Sequence, residues 1–231
     1  MRVTCSILFF IASVITLSSC KNNDNVFTPT VSTGLTVVNA SADTVNFYLN
    51  GTRQNNNSNL FPDGSVINQI VPAGQQNYQF KKLGASTVLF SVALNLVDST
   101  YNSLYVAGET ADLTFHTLDN IPVPSNSLTT DTAFLRFVDA APDAGSLNVT
   151  IGNLTTGNTI SFNGISFKSS SAFVPSISGQ NEIKIYQAGS NVAKVDTVIS
   201  FVPNYIYTLF AKGLANGKGN SVFDVGVLLN N

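Results

Sequence analysis

Asp139 and Asp143 are the residues whose type and spacing come nearest to catalytic chemistry. Two carboxyl groups held in different environments can act as general acid and general base. A related segment nearer the N-terminus has Asn39 in place of Asp139, so the two segments share only Asp43 and Asp143. Aspartate in a turn commonly accepts a hydrogen bond from its own backbone two residues on. We therefore predict structural turn roles for Asp43 and Asp143 and no catalytic residue.

Metal binding and nucleophilic catalysis have little support in the sequence. Calcium takes about six to eight oxygen ligands, and no Asp-x-Asp-x-Asp-Gly loop is present, so calcium at Asp139 and Asp143 is left as an open alternative. The chain has one histidine, His116, and no Gly-x-Ser-x-Gly elbow, so zinc and hydrolase chemistry lack their usual residues. His116 is expected on the exposed side of a strand. The sequence predicts no metal, no cofactor and no enzyme.

Signals for ligand binding are weak. The glycine-rich segment 213–219 lacks the strand-then-helix context of a dinucleotide-binding loop and is expected to be a hairpin loop. Tryptophan, the largest platform for stacking on sugars, is absent. Tyrosines could supply smaller platforms for a glycan, although aromatic residues in alternating strands are usually cross-strand partners. These tyrosines are Tyr48, Tyr78, Tyr101 and Tyr186.

The composition is that of a folded β protein. Apolar residues make up 44% and charged residues 10% of the 231 residues, which excludes the disordered class. The formal net charge is −2, and lysine and arginine are scattered, so nucleic acid is not an expected partner. Asparagine, serine and threonine supply most of the polar character, which favours turns and exposed strand faces over helix interiors.

The N-terminus has the layout of a secretion signal. Arg2 precedes an apolar run over residues 7–17, and small residues follow the run. The run is shorter than the ~20 residues needed to cross a bilayer, so residues 1–19 are expected to be a signal peptide. Cys5 would leave with this signal, and only Cys20 would remain. The mature chain is therefore expected to have no disulfide.

Leu17-Ser18-Ser19-Cys20 resembles the lipobox of bacterial lipoproteins. The resemblance implies cleavage before Cys20, lipidation of its thiol and an outer-membrane anchor, because Lys21 is not the aspartate associated with inner-membrane retention. Asp24 alone is a poor match to an acidic surface-display signal, so a periplasmic and a surface-facing body both stay open. A plain secretory signal is the alternative. Residues 20–33 are expected to be the lipidated cysteine and a flexible polar tether.

The remainder of the chain contains two related copies of one sequence. Residues 35–43 align with residues 135–143, and residues 45–49 align with residues 147–151. A constant offset then pairs Gly74-Gln75, Gly84, Leu104 and Gly108 with Gly179-Gln180, Gly189, Leu209 and Gly213.

Apolar residues alternate with polar ones inside each copy. Val45, Phe47 and Leu49 lie on one side of a segment, and the pattern recurs at 88–96 and 195–201. A period of two is typical of half-buried strands. About seven such strands in each copy predict an all-β fold of two tandem immunoglobulin-like β-sandwich domains.

The domain boundaries follow from the repeat. Copy 1 is expected at 34–120 and copy 2 at 132–231, joined by a linker at 121–131 whose prolines, Pro122 and Pro124, resist both helix and ladder. A copy of ~100 residues can build its own core, and two copies need not share one.

Each copy also opens with a recognisable signature. Val38-Asn39-Ala40-Ser41-Ala42-Asp43, followed by the alternating strand 45–51, and Val138-Asp139-Ala140-Ala141-Pro142-Asp143 resemble the start of domain-of-unknown-function family 4397. Copy 1 departs from the pattern with Ala42 in place of proline. The resemblance implies a secreted, often lipid-anchored β-module without an established activity.

These observations predict a non-enzymatic cell-envelope lipoprotein that acts as a surface binding or adhesion module. Its expected partners are the membrane, through the lipid on Cys20, and a glycan or an envelope protein. The alternative is a structural or accessory subunit of an outer-membrane complex.

Overall fold

A computed structural model of the protein describes residues 31–55, 58–122 and 131–230. The expected signal peptide at 1–19, Cys20, the tether as far as residue 30 and linker residues 123–130 lie outside these ranges. The chain from Val31 onward is one compact unit. No helix in the described ranges is long and apolar enough to cross a membrane.

Strands account for nearly all regular structure in the described residues, eight of them in each copy. Copy 1 contains β1 (Ser32–Asn39), β2 (Val45–Leu49), β3 (Thr52–Arg53), β4 (Ser65–Pro72), β5 (Gly74–Lys82), β6 (Phe90–Leu96), β7 (Tyr101–Val106) and β8 (Thr114–Leu118). Copy 2 contains β9 (Thr132–Asp139), β10 (Leu147–Asn153), β11 (Thr159–Ile165), β12 (Val174–Ile177), β13 (Gly179–Gln187), β14 (Ala193–Phe201), β15 (Ile206–Lys212) and β16 (Asp224–Asn230). Short 3₁₀ turns occur at Ala111–Leu113 and Gly219–Ser221.

Each copy folds into two four-stranded sheets. The orders are β4-β1-β7-β8 and β3-β2-β5-β6 in copy 1, and β12-β9-β15-β16 and β11-β10-β13-β14 in copy 2. The first strand of each copy runs parallel to the seventh, and the other pairings are antiparallel. The expected all-β sandwich layout is therefore present. Lettered A to H, the sheets are D-A-G-H and C-B-E-F, whereas a constant-type immunoglobulin domain has A-B-E-D and C-F-G.

Each copy has a hydrophobic core of its own between its two sheets. In copy 1, Phe47, Phe80 and Phe90 stack in a row, with ring centroids 6.4 and 4.9 Å apart. The predicted alternation is confirmed in β14, where Val195 and Phe201 are buried and the residues between them alternate in exposure. The alternation of apolar and polar residues thus places the apolar side of strands such as β14 against the core of their own copy.

A third hydrophobic cluster contains residues of both copies. It forms because β1, β9 and β15 are buried on both faces along almost their whole length. Sheet β4-β1-β7-β8 packs its outer face on the outer face of sheet β12-β9-β15-β16. The two copies therefore have separate cores and also share a buried interface, which the repeat alone does not indicate. The cluster consists of Val38, Ala40, Tyr105, Ala107, Phe115, Val138, Ala140, Phe210 and Leu228.

One expected boundary is corrected by the strand pairing. The sequence pattern predicts Ser32 and Thr33 in the tether, but both belong to β1, where they pair with Pro72 and Val71 of β4. Thr33 is buried, and its hydroxyl donates to the carbonyl of Thr100 at 2.8 Å. Polar residues at a strand end resemble a linker in sequence, and only their ladder partners reveal the strand.

The glycines confirm the alignment of the copies. Gly74 and Gly179 occupy the same turn with φ of 84° and 89°, and Gly84 and Gly189 do so with φ of 78° and 82°. Residues with side chains rarely adopt these values. The shared glycines therefore mark turns that both copies need.

Gly226 is a packing position in the shared interface. It lies opposite Phe210 in the β15–β16 ladder, and a Cβ at Gly226 would overlap the Phe210 ring. We expect Gly226→Ala to lower the free energy of unfolding by about 1–3 kcal/mol, the usual cost of overpacking. Urea unfolding of the full chain measures this cost. Gly152→Ala is the matched control, because the space beside Gly152 is open apart from Thr159; an equal loss in both variants would contradict the packing argument.

Candidate functional site

The structure separates Asp139 from Asp143 in environment and in partners. Asp139 is fully buried, and its Oδ1 accepts the backbone N–H of Ala141 at 2.9 Å. Its Oδ2 has no hydrogen-bond partner among the described residues. Burial raises the pKa of Asp139 from 3.8 to about 7, against the opposing effect of the Ala141 N–H. Asp143 is exposed, and its Oδ1 accepts the N–H of Ala215 at 2.8 Å.

Asp43, the counterpart of Asp143, also lies in a turn, but its carboxylate pairs with a side chain. Lys82 Nζ lies 3.1 Å from Asp43 Oδ2 and 2.9 Å from Glu109 Oε1. An aspartate in a turn is expected to accept a hydrogen bond from its own backbone two residues on, but neither aspartate does so in the described part of the chain. In copy 1 that bond is made by Asn39, whose Oδ1 accepts the N–H of Ser41 at 3.1 Å. The turns are thus organised by positions 39 and 139.

The other candidate residues stay apart. His116 is exposed on β8, and segment 213–219 connects β15 to β16 as the predicted hairpin loop. In the described part of the chain, no three histidine, cysteine, aspartate or glutamate residues come close enough to hold a metal ion. The carboxylates of Asp139 and Asp143 accept from different backbone groups, and Asp143 does not contribute to the raised pKa of Asp139.

A buried ion pair links the two copies. Arg136 on β9 donates through Nη2 to Oδ1 of Asp119, which follows β8, at 2.6 Å. Their side chains are 2% and 3% exposed. The Arg136 guanidinium also lies over the ring of Phe173, 4.7 Å from its centroid. The charges of both residues are therefore compensated inside the protein.

Hydroxyl groups complete this polar network. Asp119 Oδ2 accepts from Ser103 at 2.6 Å, and Oδ1 accepts from Thr117 at 3.1 Å. On the other side, Arg136 Nε donates to Thr208 Oγ1 at 2.8 Å, and Thr208 donates to Asn230 Oδ1 at 2.6 Å. A buried network in which the partners are satisfied fixes relative positions well. The two copies are thereby held in one orientation.

A groove of about 620 Å³ opens between the copies directly beside this network. Its volume falls within the ~300–1,000 Å³ typical of small-molecule sites. Asp119 and Asn230, which are buried, belong to its lining. A smaller cavity of about 180 Å³ lies among the turns that follow β1, including 40–43. The larger groove is lined by Ser99, Thr100, Tyr101, Leu118, Asp119, Asn120, Ile121, Pro122, Asn204, Ile206 and Asn230.

Equivalent turns form the two walls of the groove. Ser99 and Asn204 hold the same position in the two copies, with φ of 58° and 63°. Ser99 N–H donates to Ser32 O at 2.9 Å, and Asn204 N–H donates to Thr132 O at 2.7 Å. Each turn is thus tied to the first strand of its own copy. The two walls are therefore related by the repeat.

Tyr101 gives the groove an aromatic surface on one side. It is 50% exposed, and its ring lies over Gly34, the residue opposite it in the β1–β7 ladder. A side chain at position 34 would overlap the ring, so Gly34 is what allows the ring to lie on the strand. Copy 2 has Ile206 at the equivalent position, so the aromatic surface belongs to copy 1 alone. Of the other candidate platforms, Tyr78 is fully buried.

Sequence reasoning missed most of this site. Arg136 carried a usable signal, because it is a lone charge in the apolar run 133–138, and a charge inside a buried strand needs a partner. Asp119 and the groove turns at 98–100 and 203–205 carried no local signal, because they meet only when the copies pack.

The solved structures that match this protein do so at low sequence identity and low TM-score. A leucine-rich repeat protein from Bacteroides thetaiotaomicron is 14% identical, with a TM-score of 0.23, and 87% of this chain covers 26% of that one. The Bacillus anthracis TIE protein is 12% identical, with a TM-score of 0.24 and coverage of 80% and 33%. CBMbc, a family CBM26 module from Eubacterium rectale Amy13K crystallised with maltoheptaose, is 10% identical, with a TM-score of 0.25 and coverage of 86% and 97%.

The chain thus spans about a quarter to a third of the first two proteins. At these TM-scores the similarities carry no argument about function. Among curated proteins, none matches the chain.

The family comparison agrees with the internal repeat. The family described as "Domain of unknown function (DUF4397)" matches the chain twice, over residues 33–150 and 133–228. The two matches begin at β1 and at β9, the first strands of the two copies. The protein therefore belongs to the DUF4397 family and contains two copies of its domain.

Proposed function

We propose that the protein is a non-enzymatic lipoprotein of the cell envelope that acts as a binding module. The observation that carries the proposal is the inter-copy groove, a sizeable site between two sandwiches that the Arg136–Asp119 pair links. A rigid scaffold that presents a preformed concave surface suits ligand capture. The groove lining includes one ionisable acid, Asp119, which is already paired, so binding rather than catalysis is the better-supported activity.

The proposal includes a lipid anchor at Cys20, an outer-membrane location and sandwiches that are immunoglobulin-like in architecture. Many cell-surface domains share the two-sheet architecture without the same strand order. The strand orders of this protein likewise differ from those of a constant-type immunoglobulin domain. A lipoprotein cysteine with several acyl chains holds a protein durably on a membrane, because each buried methylene contributes about 0.8 kcal/mol.

The anchor is tested by protease shaving of intact cells together with membrane fractionation. We expect the wild-type protein in the membrane fraction and Cys20→Ala in the soluble fraction. Loss of the body from intact cells after protease treatment supports surface display and adhesion, and protection supports a periplasm-facing body. Membrane association of Cys20→Ala equal to wild type contradicts the lipid anchor. Cys5→Ala is the control and should behave as wild type, because the signal peptide containing it is removed.

A role as accessory subunit of an outer-membrane complex is the second candidate. It is favoured by where the chain enters the body, because Ser32 is hydrogen-bonded to groove residue Ser99. The first described strand thus begins beside the groove. A partner held in the same membrane could reach it there. Stable co-purification of one envelope protein from detergent extracts would favour this candidate over free ligand binding.

A further inference from the structure

We infer that the inter-copy groove binds an uncharged oligosaccharide, with one sugar ring stacked on Tyr101. The inference rests on the proposed binding function and specifies its ligand. Three features carry it: the neutrality of the groove, the exposed aromatic ring, and the amide and hydroxyl groups around that ring.

The groove is electrically neutral in the described residues. Its lining contains no lysine, arginine or histidine, and its single carboxylate, Asp119, is paired with Arg136 at 2.6 Å. An anionic ligand such as a phosphate or an acidic sugar would meet no cation in the groove. A cationic ligand would compete with Arg136 for Asp119, which is nearly inaccessible. The groove therefore favours a ligand without net charge.

The Tyr101 ring is placed as a stacking surface. The Cδ1–Cε1 side of the ring packs against Gly34 of β1, while half of the residue's surface is exposed and the residue lines the groove. The backbone behind the ring is fixed, because Tyr101 O accepts the N–H of Asp119 at 2.8 Å. A fixed, exposed aromatic face gives large contact area at a small cost in conformational entropy. The C–H face of a pyranose ring is flat and apolar, and it matches such a surface.

Polar groups line the groove together with the Tyr101 ring. Ser99, Asn120 and Asn204 are exposed in the groove walls and offer hydroxyl and amide groups that both donate and accept. Sugar hydroxyls likewise donate and accept. An apolar ligand would leave these groups unpaired on binding, which costs affinity. A ligand with an apolar face and a hydroxylated edge satisfies both parts of the lining.

The test is binding of the detergent-solubilised full chain to a printed array of neutral and acidic oligosaccharides, followed by titration of the strongest binder. We expect binding confined to neutral oligosaccharides. Tyr101→Ala should weaken it about tenfold or more, whereas Tyr101→Phe should keep it within a few-fold, because the ring face is retained. Tyr48→Ala is the matched control, since Tyr48 lies on β2, away from the groove, and it should leave binding unchanged. Urea unfolding confirms that each variant is folded.

Three outcomes overturn the inference: no binding to any neutral oligosaccharide, binding unaffected by Tyr101→Ala, or an equal loss in Tyr48→Ala. Co-purification from detergent-solubilised envelopes separates these failures from failure of the proposed function. A chain that is silent on the array but retains a protein partner, lost in Tyr101→Ala, remains a binding module with a different ligand. A chain that is silent in both experiments contradicts both proposals.

Discussion

Replacing Arg136 with methionine, or Asp119 with alanine, should lower the free energy of unfolding by about 3–5 kcal/mol in each case. Each substitution leaves one charge buried without its counter-ion, because both side chains are almost inaccessible to water. The hydroxyl groups of Ser103 and Thr208 remain as hydrogen-bond partners but cannot neutralise a full charge. The loss should therefore exceed what the removed contact alone would cost.

A double-mutant cycle separates the pair from its surroundings. Arg136→Met combined with Asp119→Ala removes both charges, so the double variant should lose much less than the sum of the two single variants. Urea unfolding of the full chain gives all four values. Lys212→Met is the matched control, because Lys212 also pairs across the copies, with Asp63 at 2.6 Å, but at the surface, and it should cost under about 1 kcal/mol. Additive losses in the cycle, or a small loss in Arg136→Met, would refute the buried-pair assignment.

The fold was predictable where a residue's environment depends on its own strand. Alternation placed Phe47 and Val195 in the cores of their copies, and shared glycines such as Gly74 and Gly179 marked the same turns. The strand count came out at eight rather than about seven in each copy, since short strands such as β3 pair over only two residues. The order of strands in each sheet was not predictable. It depends on which strand edges pair, and the alternation of apolar and polar residues does not indicate this.

The interface between the copies was not predicted from the sequence, although the sequence contains a signal for part of it. A strand with one exposed face alternates, whereas β1, β9 and β15 each contain adjacent apolar residues, as in Val37-Val38, Phe137-Val138 and Leu209-Phe210, which places apolar side chains on both faces of the strand. Two sandwiches with separate cores do not need such strands. The groove could not be anticipated further, since Ser99 and Asn204 are ordinary turn residues until the copies pack.

Asp139→Asn should stabilise the protein at neutral and higher pH, by as much as about 4 kcal/mol at pH 8. Wild-type Asp139 is fully buried with an unpartnered Oδ2, and burial raises its pKa to about 7. In copy 1 an amide at the equivalent position has hydrogen-bond partners for the atom that Asp139 leaves unpartnered. Asn39, in the equivalent position, uses its Nδ2 to donate to the carbonyls of Asp43 and Leu60 at 2.7 and 2.9 Å.

The sign follows from proton binding. Between pH 4 and pH 7 the folded chain holds a proton on Asp139 that the unfolded chain has released, so the contribution of Asp139 to stability is greatest near pH 4 and falls as pH rises toward 7. Asparagine cannot ionise, so Asp139→Asn should remove this slope, and its advantage should shrink toward pH 4. Urea unfolding of both proteins at several pH values measures the difference. The reciprocal variant, Asn39→Asp, should introduce a fall of the same sign in copy 1, while Asp143→Asn, at an exposed position, should change the slope little. An unchanged slope in Asp139→Asn would show that the carboxyl of Asp139 is already ionised in the folded protein at pH 5–6.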